Sequence, residues 1–382
     1  MSVVYITSQG SKISKEGRHL VLKVKDQEPC SILTFKLNQM VLIGNVEITT
    51  SAIKHLLYSG VELVFLSYDG RFVGRVVGEL PKNVFLRKQQ YRKAEDEEFV
   101  REMARTLVLG KLRNQLTLLK RIYRYYKPPK VEQPIQDLTL IVQRLRNAST
   151  LNQIRGYEGK GSALFFRGFP EGFRNRNDFR KRVRRPPTDP INAVLSFCYT
   201  LLMNRVYGAV YAAGLDPYLG SLHVLEYGRP SLVLDLMEEF RTIVVDTLTL
   251  SLFNMNILTD NDFYVYRPSV SDKVYREPEP DVQKDPLGQM SDVPAEFTEG
   301  CEADIEEGLG DDDGDDRVYP VRLKEDGLKK LLHQFERKMK TKFFYEPLGR
   351  NIDYHKALYE QAKLYAKVIK GEVESYKPLR MQ

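Results

Sequence analysis

The chain has 382 residues, 42% of them hydrophobic, and carries a net charge of +7, so it is long enough for two or three domains with a sizeable core. No stretch approaches the ~20 apolar residues of a membrane span, and the start MSVVYITSQGSK lacks the basic head and apolar core of a signal peptide, so a cytoplasmic protein without membrane association is expected. Cys30, Cys198 and Cys301 are odd in number and far apart, which argues against a disulfide framework or a CxxC zinc site.

The first 84 residues read as a small β domain. The short runs VVYIT, HLVLKV, SILTFKL, MVLIGNVEITT, VELVFLS and FVGRVVG alternate apolar with polar residues, and Gly10, Gly17, Gly44 and the Asp69-Gly70 pair punctuate them at turns. SAIKHLLYSG at 51–60 fits one short helix. Pro81 closes this region, and from Phe85 the spacing becomes helical, with Phe99, Met103, Leu107, Leu112, Leu116 and Leu119 recurring along a charged segment. Two helices broken near Gly110 are expected there. Further helices fit 137–146, the segment NQIRGYEGKGSALFF, 189–214, 230–253, 325–344 and 353–371. The expected architecture is α+β and multidomain: a β-sandwich-like domain at 1–84, a larger all-α catalytic domain at 85–276, an acidic insertion at 277–318, and C-terminal helices of the catalytic domain at 319–382.

The net charge hides a division. Residues 277–316 hold 16 acidic side chains against Lys284 alone, a segment charge of −15, which leaves +22 on the rest of the chain. A surface that basic favours polyanions by Coulomb attraction and counterion release, nucleic acid foremost. The acidic tract ends in GDDDGDDR, yet it does not fit a calcium loop: with Gly314 at the sixth position, Leu309 falls where the first ligand belongs. It reads as a solvated, disordered insertion that would shield the basic surface as a mimic of nucleic acid.

Three elements compete for chemistry. Glu158 stands in RGYEG between Gly156 and Gly159, glycines that allow close approach of backbone or ligand. His223 precedes a Gly-Arg-Pro turn whose Pro230 suits the first turn of a new helix. Asp235, Glu238 and Glu239 follow at i, i+3 and i+4 inside the apolar stretch SLVLDLMEEF, where half-buried acids need a partner. Carboxylate oxygens with one imidazole nitrogen describe a site for Mg2+ or Mn2+; a zinc or non-haem iron site of one histidine and two carboxylates stays open on ligand type. The most basic run, FRNRNDFRKRVRRPP, holds Arg174, Arg176, Arg180, Lys181, Arg182, Arg184 and Arg185, and reads equally as a phosphate-binding surface or a solvated loop. Phe169, Phe173 and Phe179 interleave with it, for the core or for stacking on bases. Lys111, Arg113, Lys120, Arg121 and Arg124 of the basic helix are candidates for further phosphate contacts.

Taken together, GNVEITTSAIKHLLYSGVELVFLS, KLRNQ, RGYEG, RRPPTDPINAVLSFCYTLL, GLDPYLGSLHVLEYGRPSLVLDLMEEFR and the ending EQAKLYAKVIKGEVESYKPL resemble the CRISPR-associated integrase family, the first-numbered Cas proteins. The resemblance covers nearly the whole chain. It implies a β domain followed by an α-helical catalytic domain, a homodimer, and assembly on a dimer of the small second-numbered Cas protein. It also implies that Glu158, His223 and Glu238 are the metal-binding catalytic residues, with Asp235 a secondary acid near the metal and Glu239 without a role. The implied reaction is phosphoryl transfer on double-stranded DNA: a fragment 3′-hydroxyl attacks a phosphodiester at the repeat boundary, with Mg2+ or Mn2+ stabilising the departing oxygen. A general metal-dependent nuclease acting on branched DNA or RNA, and a non-catalytic DNA-binding scaffold, are the alternatives. Lys160 and Gly161 depart from the family's usual small apolar residues and leave the local helix open.

Overall fold

A computed structural model describes residues 2–79, 83–174, 179–183, 186–267 and 319–381. Pro81, Arg176, Arg184, Arg185, Cys301 and the whole acidic insertion lie outside the described residues.

The N-terminal region forms two four-stranded sheets. Strands β1 (Ser2–Ile6), β5 (Leu37–Ile43), β7 (Glu62–Leu66) and β8 (Phe72–Val76) make one, in the order β1-β5-β7-β8; β2 (Ser11–Glu16), β3 (His19–Lys23), β4 (Cys30–Ile32) and β6 (Val46–Ile48) make the other, in the order β4-β3-β2-β6. Gly44, at φ 77°, lets the chain leave β5 and enter β6 in the second sheet. The segment SKISKE, absent from the expected strands, pairs as β2; only Ser11 and Ile13 are buried in it, so its apolar alternation is too sparse to read. The expected strand over 31–37 is shorter, because Thr34–Lys36 turns as a 3-10 helix.

Alternation along β5 decides how this region joins the rest. Met40 and Leu42 point into a core shared with Ile13, Leu20 and Ile32 of the second sheet and with Ala52 and Leu56 of α1 (Thr50–Tyr58). Their neighbours Val41 and Ile43, with Val64 and Leu66, point the other way into the core of the helical region. The first sheet is thus covered on both faces.

The helices are α2 (Val84–Ala94), α3 (Glu97–Tyr126), α4 (Glu132–Leu145), α5 (Leu151–Gly168), α6 (Pro190–Ala212), α7 (Ser231–Phe240), α8 (Thr247–Asn254), α9 (Glu325–Met339) and α10 (Tyr354–Ile369). Residues Arg241–Asp246 between α7 and α8 are π-helical. The break expected near Gly110 does not occur: α3 runs unbroken for 30 residues, and the break falls before it, where the Asp96 side chain accepts from the Phe99 amide. Gly110 has a packing reason, since a Cβ there would lie 2.5 Å from Pro378 Cβ. The region is mostly helical, as expected, and carries two short antiparallel pairs besides among the described residues. Strands β9 (Phe263–Val265) and β10 (Val321–Leu323) pair antiparallel on either side of the insertion, and β11 (Lys342–Tyr345) pairs with β12 (Arg350–Asp353), which ends α9 at Met339. Contrary to the reading of hydropathy, α6 is 23 residues long and apolar enough to cross a membrane; 67% of its most apolar window is buried inside the fold.

Candidate active site

The site is assembled from four elements. Helices α3 and α5 pack closely because Gly161 has no side chain: a Cβ there would sit 2.6 Å from Leu112 Cδ2. Glu158, one turn before Gly161, is thereby brought against Lys111, the residue before Leu112. Lys111 donates to Glu158 Oε1 and lies 2.8 Å from Glu238 Oε2 on α7. Ser162 Oγ also donates to Glu158 Oε1, at 3.1 Å.

His223 arrives from the loop between α6 and α7. That loop is tied down by Gln90 of α2, whose amide donates to the Asp216 and Leu219 carbonyls and accepts from the Asp216 amide. Asp235, fully buried, then accepts from the backbone amides of Ser221, Leu222 and His223 at 2.6, 2.9 and 3.0 Å. Its Oδ1 also lies 2.7 Å from His223 Nδ1. A carboxylate can only accept, so Nδ1 carries a proton, and Nε2, 3.9 Å from Glu238 Oε1, is the ring nitrogen turned toward the cluster. Gly220 makes room for this arrangement: a Cβ there would meet Asp235 Oδ2 at 2.5 Å.

Arg241, the first π-helical residue, forms an ion pair with Glu238 Oε1 at 3.0 Å. Burial alone would raise the Glu238 carboxyl, but Arg241, Lys111 and His223 outweigh it and bring it down to about 2. Burial likewise pulls the Lys111 ammonium down, and Glu158 and Glu238 outweigh it and hold it above its ordinary value. The Glu238 carboxylate stays ionised, and it and the Glu158 carboxylate both face Lys111.

The structure therefore gathers Glu158, His223 and Glu238, and gives Asp235 four hydrogen-bond donors that fix the histidine. It adds Lys111 and Arg241, to which sequence reasoning gave no part in this cluster. By sequence Lys111 is a candidate phosphate contact, yet its side chain is 8% exposed. The signal was present: Lys111 falls in line with Ala104, Leu107, Leu118 and Ile122 on the buried stripe of α3.

Glu239 turns away from the cluster and has a structural role. It accepts from Tyr376 OH at 2.6 Å, from Gln361 Nε2 and from the Leu379 amide, pinning the C-terminal tail. Asn114 of α3 adds to this by donating to the Glu239 and Leu379 carbonyls and accepting from the Met381 amide.

Of the basic run, Arg174, Arg180 and Lys181 are exposed. Arg182 is tied inward, donating to Asn192 Oδ1 and Ser196 Oγ and lying over the Tyr199 ring. Phe169, Phe173 and Phe179 are buried, with ring centroids 5.3 to 6.0 Å apart; they are core, and the stacking role is excluded for them.

The family model for CRISPR associated protein Cas1 matches residues 4–271. The chain belongs to the Cas1 family. Along its full length it is 30% identical to a CRISPR-associated endonuclease Cas1 of Thermus thermophilus, covering 98% of that protein. Its fold is similar to that of a casposase bound to an integration product (TM-score 0.76, 19% identity, 99% of this chain and 93% of the other). It also matches a chain of a Cas6-RT-Cas1–Cas2 complex (TM-score 0.76, 20% identity, 100% of this chain and 36% of the other).

Cas1 relatives are named as endonucleases, and the donor set here suits a hard divalent metal: two carboxylates, one imidazole whose Nε2 is turned toward them, and a buried Glu238 Oε2 lacking a well-directed hydrogen bond. Among the described residues no three ligating side chains already form a cation cage. The Lys111 ammonium holds the place between the carboxylates.

Proposed function

We propose that this Cas1 chain is a metal-dependent DNA endonuclease and strand-transferring integrase, inserting short DNA fragments as new spacers into a CRISPR array. The observation that carries this reading is the convergence of Glu158, His223 and Glu238, from α5, the α6–α7 loop and α7, on one partly buried point in a Cas1 family chain.

Mg2+ or Mn2+ held by these three residues would supply charge stabilisation at the attacked phosphodiester and the departing 3′-oxygen. Asp235 serves as a positioning residue: it holds the His223 tautomer and ring through Nδ1, as outer partners of metal-bound histidines do. Arg241 keeps positive charge beside Glu238, where a phosphate would approach. No side chain in the cluster acts as a covalent nucleophile; the attacking group is the fragment's 3′-hydroxyl, and water in its place gives cleavage.

The proposed partners are double-stranded DNA, a second copy of the chain, and a dimer of the small second-numbered Cas protein, in the cytoplasm. One similar structure holds an integration product and another is a complex with Cas2, which supports the first and third of these. Arg174, Arg180, Lys181 and Arg182 are the described part of the proposed DNA-binding run, Arg182 as the residue anchoring it to α6; Arg176, Arg184 and Arg185 complete it.

The test is strand transfer into a repeat-bearing plasmid with Mn2+ or Mg2+, using the native chain and Glu158→Ala, His223→Ala and Glu238→Ala. The native chain should join DNA, and each variant should lose roughly a hundredfold or more. Joining by all three variants would show the assignment to be wrong. Cleavage without joining, even with the second Cas protein present, would favour the branched-nucleic-acid nuclease, and binding without either activity the scaffold.

A further inference from the structure

Ten residues along α3 from Lys111, Arg121 lines a cleft of about 170 Å³ with Lys338 of α9, Phe343 of β11, Tyr354 of α10, and Arg380 and Met381 of the tail. Three cations from remote parts of the chain share this small space. No carboxylate among the described residues pairs with any of them. The Lys338 ammonium lies 5.2 Å over the Tyr354 ring, which stacks on Phe343 at 4.6 Å between centroids. Burial, with Arg121 adding repulsion, pushes Lys338 down to about 8.

The grouping is held in place deliberately by its surroundings. Arg380 stands between two pinned residues, because the Leu379 amide donates to Glu239 and the Met381 amide donates to Asn114 Oδ1 at 2.8 Å. Arg380 also neighbours Arg113, which burial and the guanidiniums of Arg380 and Arg146 pull below its ordinary value. Arg113 and Arg121 are eight residues apart on α3, roughly 12 Å along the axis. Arg113, Arg121 and Lys338 are partly buried and Arg380 is exposed beside them; like charges gathered without an acid among the described residues are unfavourable unless an anion reaches them. An extended series of cations exceeds what one free phosphate can neutralise, and guanidinium forks suit phosphate oxygens.

We propose that Arg113, Arg121, Lys338 and Arg380 form a phosphodiester-binding track for one strand of nucleic acid, anchored in the Arg121–Lys338–Arg380 cleft. It rests on the reading that the chain acts on DNA. It also assigns DNA contact to a part of α3 and to C-terminal residues outside the arginine-rich run.

The test is equilibrium binding of the full chain to labelled single-stranded and duplex oligonucleotides across a salt series, comparing native protein with the triple variant Arg121→Gln, Lys338→Gln, Arg380→Gln. Losing three phosphate contacts should reduce the slope of log K against log salt by about 2 to 3 and weaken binding at least tenfold at ~0.1 M salt. A control that removes the same charge elsewhere, Lys25→Gln, Lys54→Gln, Lys367→Gln, should leave the slope nearly unchanged; an equal fall in the control would reduce the effect to net charge and overturn the track. The variant's melting temperature should match or exceed the native value, because repulsion is relieved, and a fall would mean that the cations serve the fold instead. Inorganic phosphate distinguishes the source: if it stabilises the native chain alone while the variant's DNA binding is intact, the cleft takes free phosphate and the strand assignment fails. Absence of DNA binding by the native chain would strike the proposed function itself.

Discussion

A lysine on the buried stripe of a helix needs an anion, and Lys111 has two. Its ammonium contacts both Glu158 and Glu238, so it offsets a repulsion that would otherwise open the cluster. A divalent cation between the same carboxylates must compete with that charge. For Lys111→Met the two requirements separate. In chelator the variant should lose about 3 kcal/mol or more of stability, as a buried pair missing one partner does. Its affinity for Mn2+, measured by calorimetry, should rise at least about tenfold because the competing charge is gone, and its thermal stabilisation by Mn2+ should exceed that of the native chain. Native-like affinity with native-like stability would remove Lys111 from the cluster's electrostatics.

At the scale of elements, α3 and α5 decide whether the cluster exists. The contact of Gly161 with Leu112 sets their separation one turn from Glu158 and one residue from Lys111. Gly161→Ala should force the helices apart, cost about 1 to 3 kcal/mol as overpacking does, and lower strand transfer while leaving DNA binding near the native level. Unchanged activity would show that the helices can give way without moving Glu158. The same pair shows what was legible in the sequence. That Glu158, His223 and Glu238 come together was legible through motif order, and most helices through apolar spacing. Lys111 was misread because its face on α3 depends on where the helix begins, and the expected break at Gly110 obscured a stripe that runs through it. Strand β2 escaped because its single buried apolar residue carries no period, and Glu239 because its partners Gln361, Tyr376 and Leu379 lie more than 120 residues away.

At the scale of the whole molecule, the tail and the sheet tie distant regions into one folding unit. Val41, Ile43, Val64 and Leu66 of the first sheet belong to the core of the helices, and Arg205 of α6 joins Tyr5 of β1 to Glu336 of α9. Unfolding of the described regions should therefore be cooperative, and a titration at the tail should be felt in the melting of all of them. Burial raises Glu239 from 4.5 to about 7 despite its hydrogen bonds. The folded chain thus keeps a proton that the unfolded chain has released. The resulting stabilisation is fully present below the unfolded value of 4.5 and is lost as pH rises through the folded value of about 7. Asp246, raised to about 6 by burial, acts with the same sign. Glu239→Gln mimics the protonated acid at every pH, so relative to the variant the native chain should lose on the order of 3 kcal/mol between pH 4 and pH 8. Calorimetric melts of the two proteins at both pH values measure the difference. A constant gap across that range would mean that Tyr376, Gln361 and the Leu379 amide keep Glu239 ionised throughout, and that the tail is latched by a charge.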